Sequence, residues 1–303
     1  MDKIKILIKG FGSIGKRHYE VLKGLYPQAQ IDIVSSQKLS NAIRSFQEIE
    51  DLDIYDYFVV ASPTSEHYAD LLFLEQRVCN KIIFMEKPLF AKKQNFSQTH
   101  SNQIYVGYVL RFHPLIQQLK KLLEQHYVYF VEVVSESYLP DWRPNSDYRQ
   151  TYSARSELGG GVLLDLSHEA DYLQWIFGNF EEIKGINTKI SELEIDTDDL
   201  ATFIITTSKK TIINLTLNYF SKIPKRLITI HVKDFSLEVD LVNNRTRQID
   251  IYQKTKEIIL QIERNDLFKE MHFNTLEVQE KILPNLKDGI KIMNTLERMK
   301  NAK

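Results

Sequence analysis

Cysteine is nearly missing from this sequence: Cys79 stands alone among 303 residues, which excludes an internal disulfide and a cysteine-held metal cluster. Its simplest description is a small apolar residue after a helix. A surplus of either charge is missing too. The 39 Lys and Arg nearly balance the 40 Asp and Glu, leaving a formal net charge of -1. That excludes the broad positive footprint with which proteins grip nucleic acid or anionic lipid, so neither is expected as a partner. No apolar run is long enough to span a bilayer. The opening residues, MDKIKILIKG, carry no secretory pattern, and a cytoplasmic location is the expectation. The histidines show no metal-ligand spacing, and internal repeats, low-complexity segments and flexible linkers are absent. What remains, 43% hydrophobic and 26% charged, is the balance of a globular chain long enough for two closely joined cores.

Over the first hundred residues short β-rich runs alternate with helical patterns. KIKILIK (3–9), IDIVS (31–35), YFVVAS (57–62), KIIFME (81–86) and IYVGYV (104–109) read as strands, and 14–26 and 65–76 read as helices between them. Strands separated by helices imply right-handed crossovers and a parallel, doubly wound sheet. A helix opened by His-Pro follows at 113–125. From about 183 the pattern changes to successive strands with short connections: 183–190, 199–207, 211–220, 226–232, 235–241, 247–253 and 257–263. Such a series makes an open antiparallel sheet. The expected fold is an α/β Rossmann domain over 1–114 and an α+β domain with a large antiparallel sheet over 115–303. The terminal amphipathic helix, about 285–303, is a segment able to pack back on the Rossmann domain.

GFGSIG places Gly10, Gly12 and Gly15 directly after one strand and before one helix. Gly10 allows the tight turn, Gly12 the approach of a pyrophosphate to the backbone, and Gly15 close helix–strand packing. The helix N-terminus adds free N–H donors and partial positive charge. Phe11, Ser13 and Ile14 belong to the same dinucleotide-binding turn. At the end of the second strand, where an acid would hold the ribose hydroxyls of NAD, stand Ser35, Ser36, Gln37 and Lys38. Asp32 lies too early. Hydroxyls beside an ammonium suit a 2′-phosphate, so the reading favours NADP over NAD.

Three further stretches carry a resemblance: ASPTSEH (61–67) at the fourth-strand position, MEKPL (85–89) after the next strand, and GYVLRFHP (107–114). With GGGVLLD and the terminal DGIKIMNTLERMK they resemble the Gfo/Idh/MocA family of sugar and cyclitol oxidoreductases. The resemblance implies a nicotinamide cofactor and a sheet domain that often mediates oligomers, here a homodimer or homotetramer. It places Ser62, Pro63, Thr64, His67, Glu86 and Lys87 along the cofactor. At a strand end Lys87 can aim across the cofactor crevice and stabilise negative charge on a reacting oxygen; a solvated lysine describes the residues alone equally well. The resemblance makes Lys87 catalytic.

GGGVLLDLSHEAD (159–171) then needs no phosphate. Its glycines read as a tight entry passing close to the nicotinamide, followed by a helix from Val162 to Phe177. Asp165 and His168, three apart, share a helix face, with Asp171 and Tyr172 after them. Hydride transfer at a sugar carbon requires proton transfer at its oxygen, which an imidazole of pKa near ~6.5 performs well. Members of the family frequently place the histidine four residues after the aspartate, where this chain has Glu169. The commitment is to His168 as proton exchanger, with Asp165 orienting it or binding hydroxyls. Trp142, Tyr148 and Tyr152 are candidates to stack on sugar faces, and Arg143, Arg149 and Arg155 to hold carboxylate or phosphate; Arg111 is expected to line the substrate region. His18, His67 and His113 fall near the expected cofactor edge. No metal is expected. The expected activity is NAD(P)-dependent oxidoreduction of a sugar, sugar acid or nucleotide-linked sugar, with a likeness to members of bacterial surface-carbohydrate biosynthesis. Two rivals are a redox-neutral glycosidase or lyase that returns its hydride and a non-catalytic sugar-sensing regulator.

Overall fold

A computed structural model describes residues 4–37, 42–278 and 282–303. Its first compact unit takes in the chain up to Val109 and again Glu263–Met293; the second comprises Leu110–Ile262 and Asn294–Lys303. The division expected at 114/115 thus falls at 109/110, and one segment returns to the first unit.

In the first unit, strands β1 (Lys5–Lys9), β2 (Gln30–Val34), β3 (Tyr57–Val60), β4 (Ile82–Met85) and β5 (Gln103–Val106) form one parallel sheet ordered β2-β1-β3-β4-β5. In β1 the consecutive Ile6, Leu7 and Ile8 are all buried, the mark of a strand covered on both faces. Helix α1 (Ser13–Leu25) turns Gly15, His18, Val21 and Leu22 inward at helical spacing, and α2 (His67–Glu75) follows β3. The strand order reverses between β1 and β3, so the loops that begin at Gly10 and Ala61 flank the switch point, where such sheets receive ligands.

The second unit opens with α3 (Pro114–Leu123) and β6 (Val128–Tyr138). Helices α4 (Val162–Asp165) and α5 (His168–Phe177) come next, then strands β7 (Phe180–Thr188), β8 (Leu200–Thr207), β9 (Ile212–Asn218), β10 (Phe220–Val232), β11 (Phe235–Asp240), β12 (Arg245–Asp250) and β13 (Thr255–Ile259). They make an eight-stranded sheet ordered β13-β12-β11-β10-β6-β9-β8-β7. Strand β6 was not among the expected strands, yet it sits inside the sheet and turns Val131, Val133 and Ser135 inward. Its pairing with β9 is parallel; the other pairings are antiparallel. On β8, Ala201, Phe203 and Ile205 are buried while Ile204 is 59% exposed, so one sheet face carries the core and the other is open.

After β13 the chain forms α6 (Arg264–Phe273), which belongs to the first unit and packs along α1 with Leu267, Phe268, Met271 and His272 inward. No helix was expected there. In α7 (Leu286–Lys300), Gly289 faces β5 so closely that a Cβ would lie 2.6 Å from Val106 Cγ2. Farther along, in the second unit, Arg298 donates to the carbonyls of Phe180 and Glu181.

Asp70 on α2 is a buried carboxylate that accepts from Ser62 Oγ at 2.6 Å. Burial pushes its pKa up to about 6, against the Ser62 hydroxyl and the Lys9 ammonium, which lower it. The folded state therefore holds a proton that the unfolded chain, with its ordinary value of 3.8, gives up earlier, and stability falls as pH rises from about 4 to about 6. Asp70→Asn should flatten that slope. Thermal melts of both proteins across the window should diverge in the variant's favour as pH rises, by at most about 3 kcal/mol; parallel curves would contradict the assignment.

Candidate functional site

The β1–α1 turn is sterically specified. Gly10 has φ +93°, and a Cβ there would lie 2.4 Å from Ala61 O; a Cβ on Gly15 would lie 2.1 Å from Gly10 O. Gly12, the N-cap of α1, has nothing within 4 Å of a built Cβ, and the helix start has neither a side-chain cap nor an acid in its first turn. Donor groups at a bare helix start, flanked by exposed Ser13 and half-buried Phe11 and Ile14, are a cradle for a phosphate anion. The residues fit the pyrophosphate of a dinucleotide.

At the end of β2, Ser35 is buried and its Oγ accepts from Gln37 N–H, while Ser36 is exposed. Lys38 lies outside the described residues. Arg44, which sequence reading missed, donates from Nη1 to the carbonyls of Ser36 and Gln37 at 3.0 and 2.8 Å, placing a guanidinium at this strand end. Asp32 is held inside the sheet edge by Tyr55 Oη and Gln30 Nε2. Its distance along the strand gave that reading; the partners explain it.

The loop after β3 brings Ser62, Pro63 and Thr64 to the same end of the sheet, with Ser62 and Thr64 buried. His67 does not present an edge to a ligand. It is 1% exposed, with Nε2 at 3.0 Å from Ser62 O and Nδ1 at 3.0 Å from Pro88 O, and so ties the loop after β3 to the loop after β4. Burial lowers its pKa despite these carbonyls. Glu86 turns inward, accepting from His18 Nε2 at 2.9 Å and from Lys87 N–H at 3.1 Å; Lys87 itself is half-buried.

In the second unit the expected single helix from Val162 to Phe177 is broken. At Ser167 and Glu169 the backbone bonds shorten to i−3 acceptors, so Asp165 closes α4 and His168 opens α5. The glycines ahead of it are packed closely within their own unit. A Cβ on Gly160 would lie 2.1 Å from Tyr152 O, and one on Gly161, at φ +118°, would lie 2.3 Å from Asp198 Oδ1. That carboxylate caps α4 through Leu163 N–H.

Three acids of this stretch have separate partners. Asp165 is buried and accepts from the phenol of Tyr219; the pKa values of Tyr219 and Tyr152 are raised by burial first and then by this carboxylate. Glu169, 0% exposed, accepts two bonds from Arg226 of β10, at 2.6 and 3.0 Å. Burial works against the Arg226 charge, but Glu169 outweighs it and the guanidinium pKa is raised. Asp171 is gripped by Arg111 at 2.7–3.1 Å, with the guanidinium 5.2 Å from the Trp175 ring centroid. Arg111 thus stands in a buried ion pair with Asp171. His168 is half-buried at the start of α5, and Tyr172 is buried.

The segment 137–158 divides. Trp142 donates to Ser137 Oγ and stands edge-on to Tyr219, and Arg143 lies over the Tyr152 ring at 5.5 Å, beside the Asp165 cluster. Tyr148 accepts from Glu194 N–H; Arg149 is exposed and pairs with Asp147 and Glu194, and Arg155 bonds Gln150. These latter three are surface contacts. His113 caps α3, with Nδ1 accepting from Leu115 N–H, which leaves Nε2–H to donate to Asn244 Oδ1. No cluster of metal-ligating groups exists among the described residues. No described helix is long and apolar enough to cross a membrane.

The architecture is that of a Rossmann-type unit joined to a large-sheet unit. Residues 116–239 match the GFO/IDH/MocA C-terminal domain, which supports the resemblance read in the motifs. An uncharacterized oxidoreductase of Synechocystis sp. is 24% identical over 194 residues, 61% of this chain; the match spans about half (52%) of that relative. Among solved structures, UDP-N-acetylglucosamine 3-dehydrogenase GnnA from Acidithiobacillus ferrooxidans shares 17% identity at TM-score 0.79, covering 100% of this chain and 98% of its own. Levoglucosan dehydrogenase in complex with NADH shares 13% at TM-score 0.83, covering 99% and 97%. At these identities the likeness establishes the fold.

The Glu169–Arg226 pair yields a test. Removing one partner leaves a buried charge, so Glu169→Ala should cost roughly 3–5 kcal/mol of stability. Adding Arg226→Met should recover part of that loss in a double-mutant cycle read by denaturant unfolding. Additive losses would show that the pair is not coupled.

Proposed function

We propose that this chain is a Gfo/Idh/MocA oxidoreductase that moves a hydride between a nicotinamide dinucleotide and a hydroxyl or carbonyl carbon of a sugar, with a nucleotide-linked sugar favoured. The observation that carries the reading is the β1–α1 turn, where Gly10 and Gly15 are required sterically and the helix start is left bare for a phosphate. The match of residues 116–239, the dehydrogenase names of the two structural relatives and the NADH bound in one of them support it. The UDP-sugar named for the first relative is the ground for a nucleotide-linked substrate and for a role in surface-carbohydrate biosynthesis.

Gly10–Gly15 would hold the pyrophosphate, and the nicotinamide would supply the hydride acceptor or donor. The chain's own residues do the rest. Lys87 donates a hydrogen bond to the reacting oxygen and stabilises negative charge there. His168 takes or gives the oxygen's proton. Asp165, which accepts from the Tyr219 phenol, orients an imidazole or accepts from a sugar hydroxyl. Glu169, committed to Arg226, is assigned no proton transfer. Ser35 and Ser36, now joined by Arg44, support NADP over NAD. The open sheet face, with Ile186, Ile204 and Ile212 exposed on one side, supports a homodimer or homotetramer through this sheet.

Lys87→Ala and His168→Ala should each lower turnover by roughly 10²–10⁴-fold with cofactor affinity nearly unchanged; a variant that keeps wild-type turnover loses its role. Calorimetric titration of the wild type with both cofactors at one salt concentration should give tighter binding of NADP, and tighter NAD binding would reverse that choice. Light scattering at micromolar concentration should report a dimer or tetramer that Ile204→Asp dissociates, and a wild-type monomer would reject the sheet as an interface.

A further inference from the structure

In the first unit four side chains from four separate elements form one continuous hydrogen-bonded line. Tyr57 Oη, at the start of β3, lies 2.9 Å from Nδ1 of His272 on α6. Nε2 of His272 lies 2.8 Å from Nδ1 of His18 on α1, and Nε2 of His18 lies 2.9 Å from Glu86 Oε1 just past β4. The second Glu86 oxygen accepts from the Lys87 backbone N–H at 3.1 Å. Tyr57, His18 and His272 are 0% exposed and Glu86 is 7% exposed. Phe84 and Phe268 stand edge-on to His18 at 5.4 and 5.5 Å, so the line runs through apolar packing.

The protons can be placed. Burial raises the Tyr57 phenol well above its ordinary pKa, so it stays protonated and can donate to His272 Nδ1. Burial, and then His18, hold His272 well below the ordinary imidazole value, so it is neutral. With Nδ1 accepting, its single proton sits on Nε2 and is donated to His18 Nδ1. The His18 proton is then on Nε2 and is donated to Glu86. Every donor in this order meets an acceptor, and the line ends on the Glu86 side chain.

We propose that His272, acting through His18 and Glu86, is a positioning residue for Lys87: the line fixes the Glu86 carboxylate as the acceptor for the Lys87 backbone and so sets the point from which the lysine side chain departs. The inference rests on the catalytic assignment of Lys87. It also gives the returning segment 263–293 a task, because α6 brings the second imidazole to a line that β3, α1 and β4 cannot complete alone. A buried network acts as one piece when all its members are satisfied, so a change at its far end reaches Glu86.

Two measurements test this on the full chain. Nitrogen-15 NMR of the histidine rings should show both protons on Nε2 and a scalar coupling across the His272–His18 N–H···N bond, whatever Lys87 does. His272→Phe should lower turnover by roughly 10–100-fold, with KM and cofactor affinity within about twofold because ligand contacts are untouched. In a Lys87→Met background the same change should cost less than about twofold, since a residue that acts through Lys87 has nothing left to position. Should His272→Phe fold poorly, Tyr57→Phe removes one hydroxyl and keeps the ring; it should free the His272 tautomer and lower turnover by a smaller factor. Absence of the coupling, or equal losses in both backgrounds, overturns the role of His272. Wild-type turnover in Lys87→Met overturns the lysine assignment and this role with it, and the NMR coupling tells that failure from a missing line.

Discussion

The first unit depends on a contact that admits no side chain. Gly15 of α1 lies against the Gly10 carbonyl so closely that a Cβ would stand 2.1 Å from its oxygen, and Gly10 lies just as tightly against Ala61 at the end of β3. Three elements are thereby drawn to one point at the switch in strand order. From that contact follow the bare start of α1, the burial of His18 one turn later, and the access of His18 to Glu86 beyond β4. A methyl group at either glycine would push α1 outward and undo all three.

In the second unit the decisive constraint is how buried carboxylates are neutralised. Glu169 and Asp171 face guanidinium groups, and a charge met by an opposite charge is removed from chemistry. Asp165 accepts a hydrogen bond from the Tyr219 phenol. It is the acid beside which Trp142 and Arg143 gather, through Tyr219 and Tyr152.

Local features were the most legible in the sequence. The glycine turn, the strands of the parallel sheet and the strand series of the large sheet each follow from a few neighbouring residues. Strand β6 was passed over although it is rich in valine and aromatic residues, because it lies between a helix and an irregular segment and lacks a hairpin partner in sequence; its neighbours β9 and β10 come some eighty residues later. The choice between His168 and Glu169 could not be made from helical spacing, since both positions flank one stripe. Arg226, the partner of Glu169, lies 57 residues away from it in sequence. The pairing of Arg111 with Asp171 was illegible for the same reason: nothing near Arg111 in sequence announces an acid 60 residues away. His272 was beyond reach, because a histidine in a polar helix says nothing about His18, 254 residues earlier.

The central claim is net hydride transfer to or from a sugar. Its most direct test is the absorbance of the reduced nicotinamide, followed while the purified protein is supplied with cofactor and a panel of sugars and nucleotide-linked sugars, with sugar consumption measured in parallel. The account predicts that at least one of these sugars changes the absorbance in a one-to-one ratio with the sugar converted. Conversion of a sugar with no accumulated change in the cofactor would contradict it.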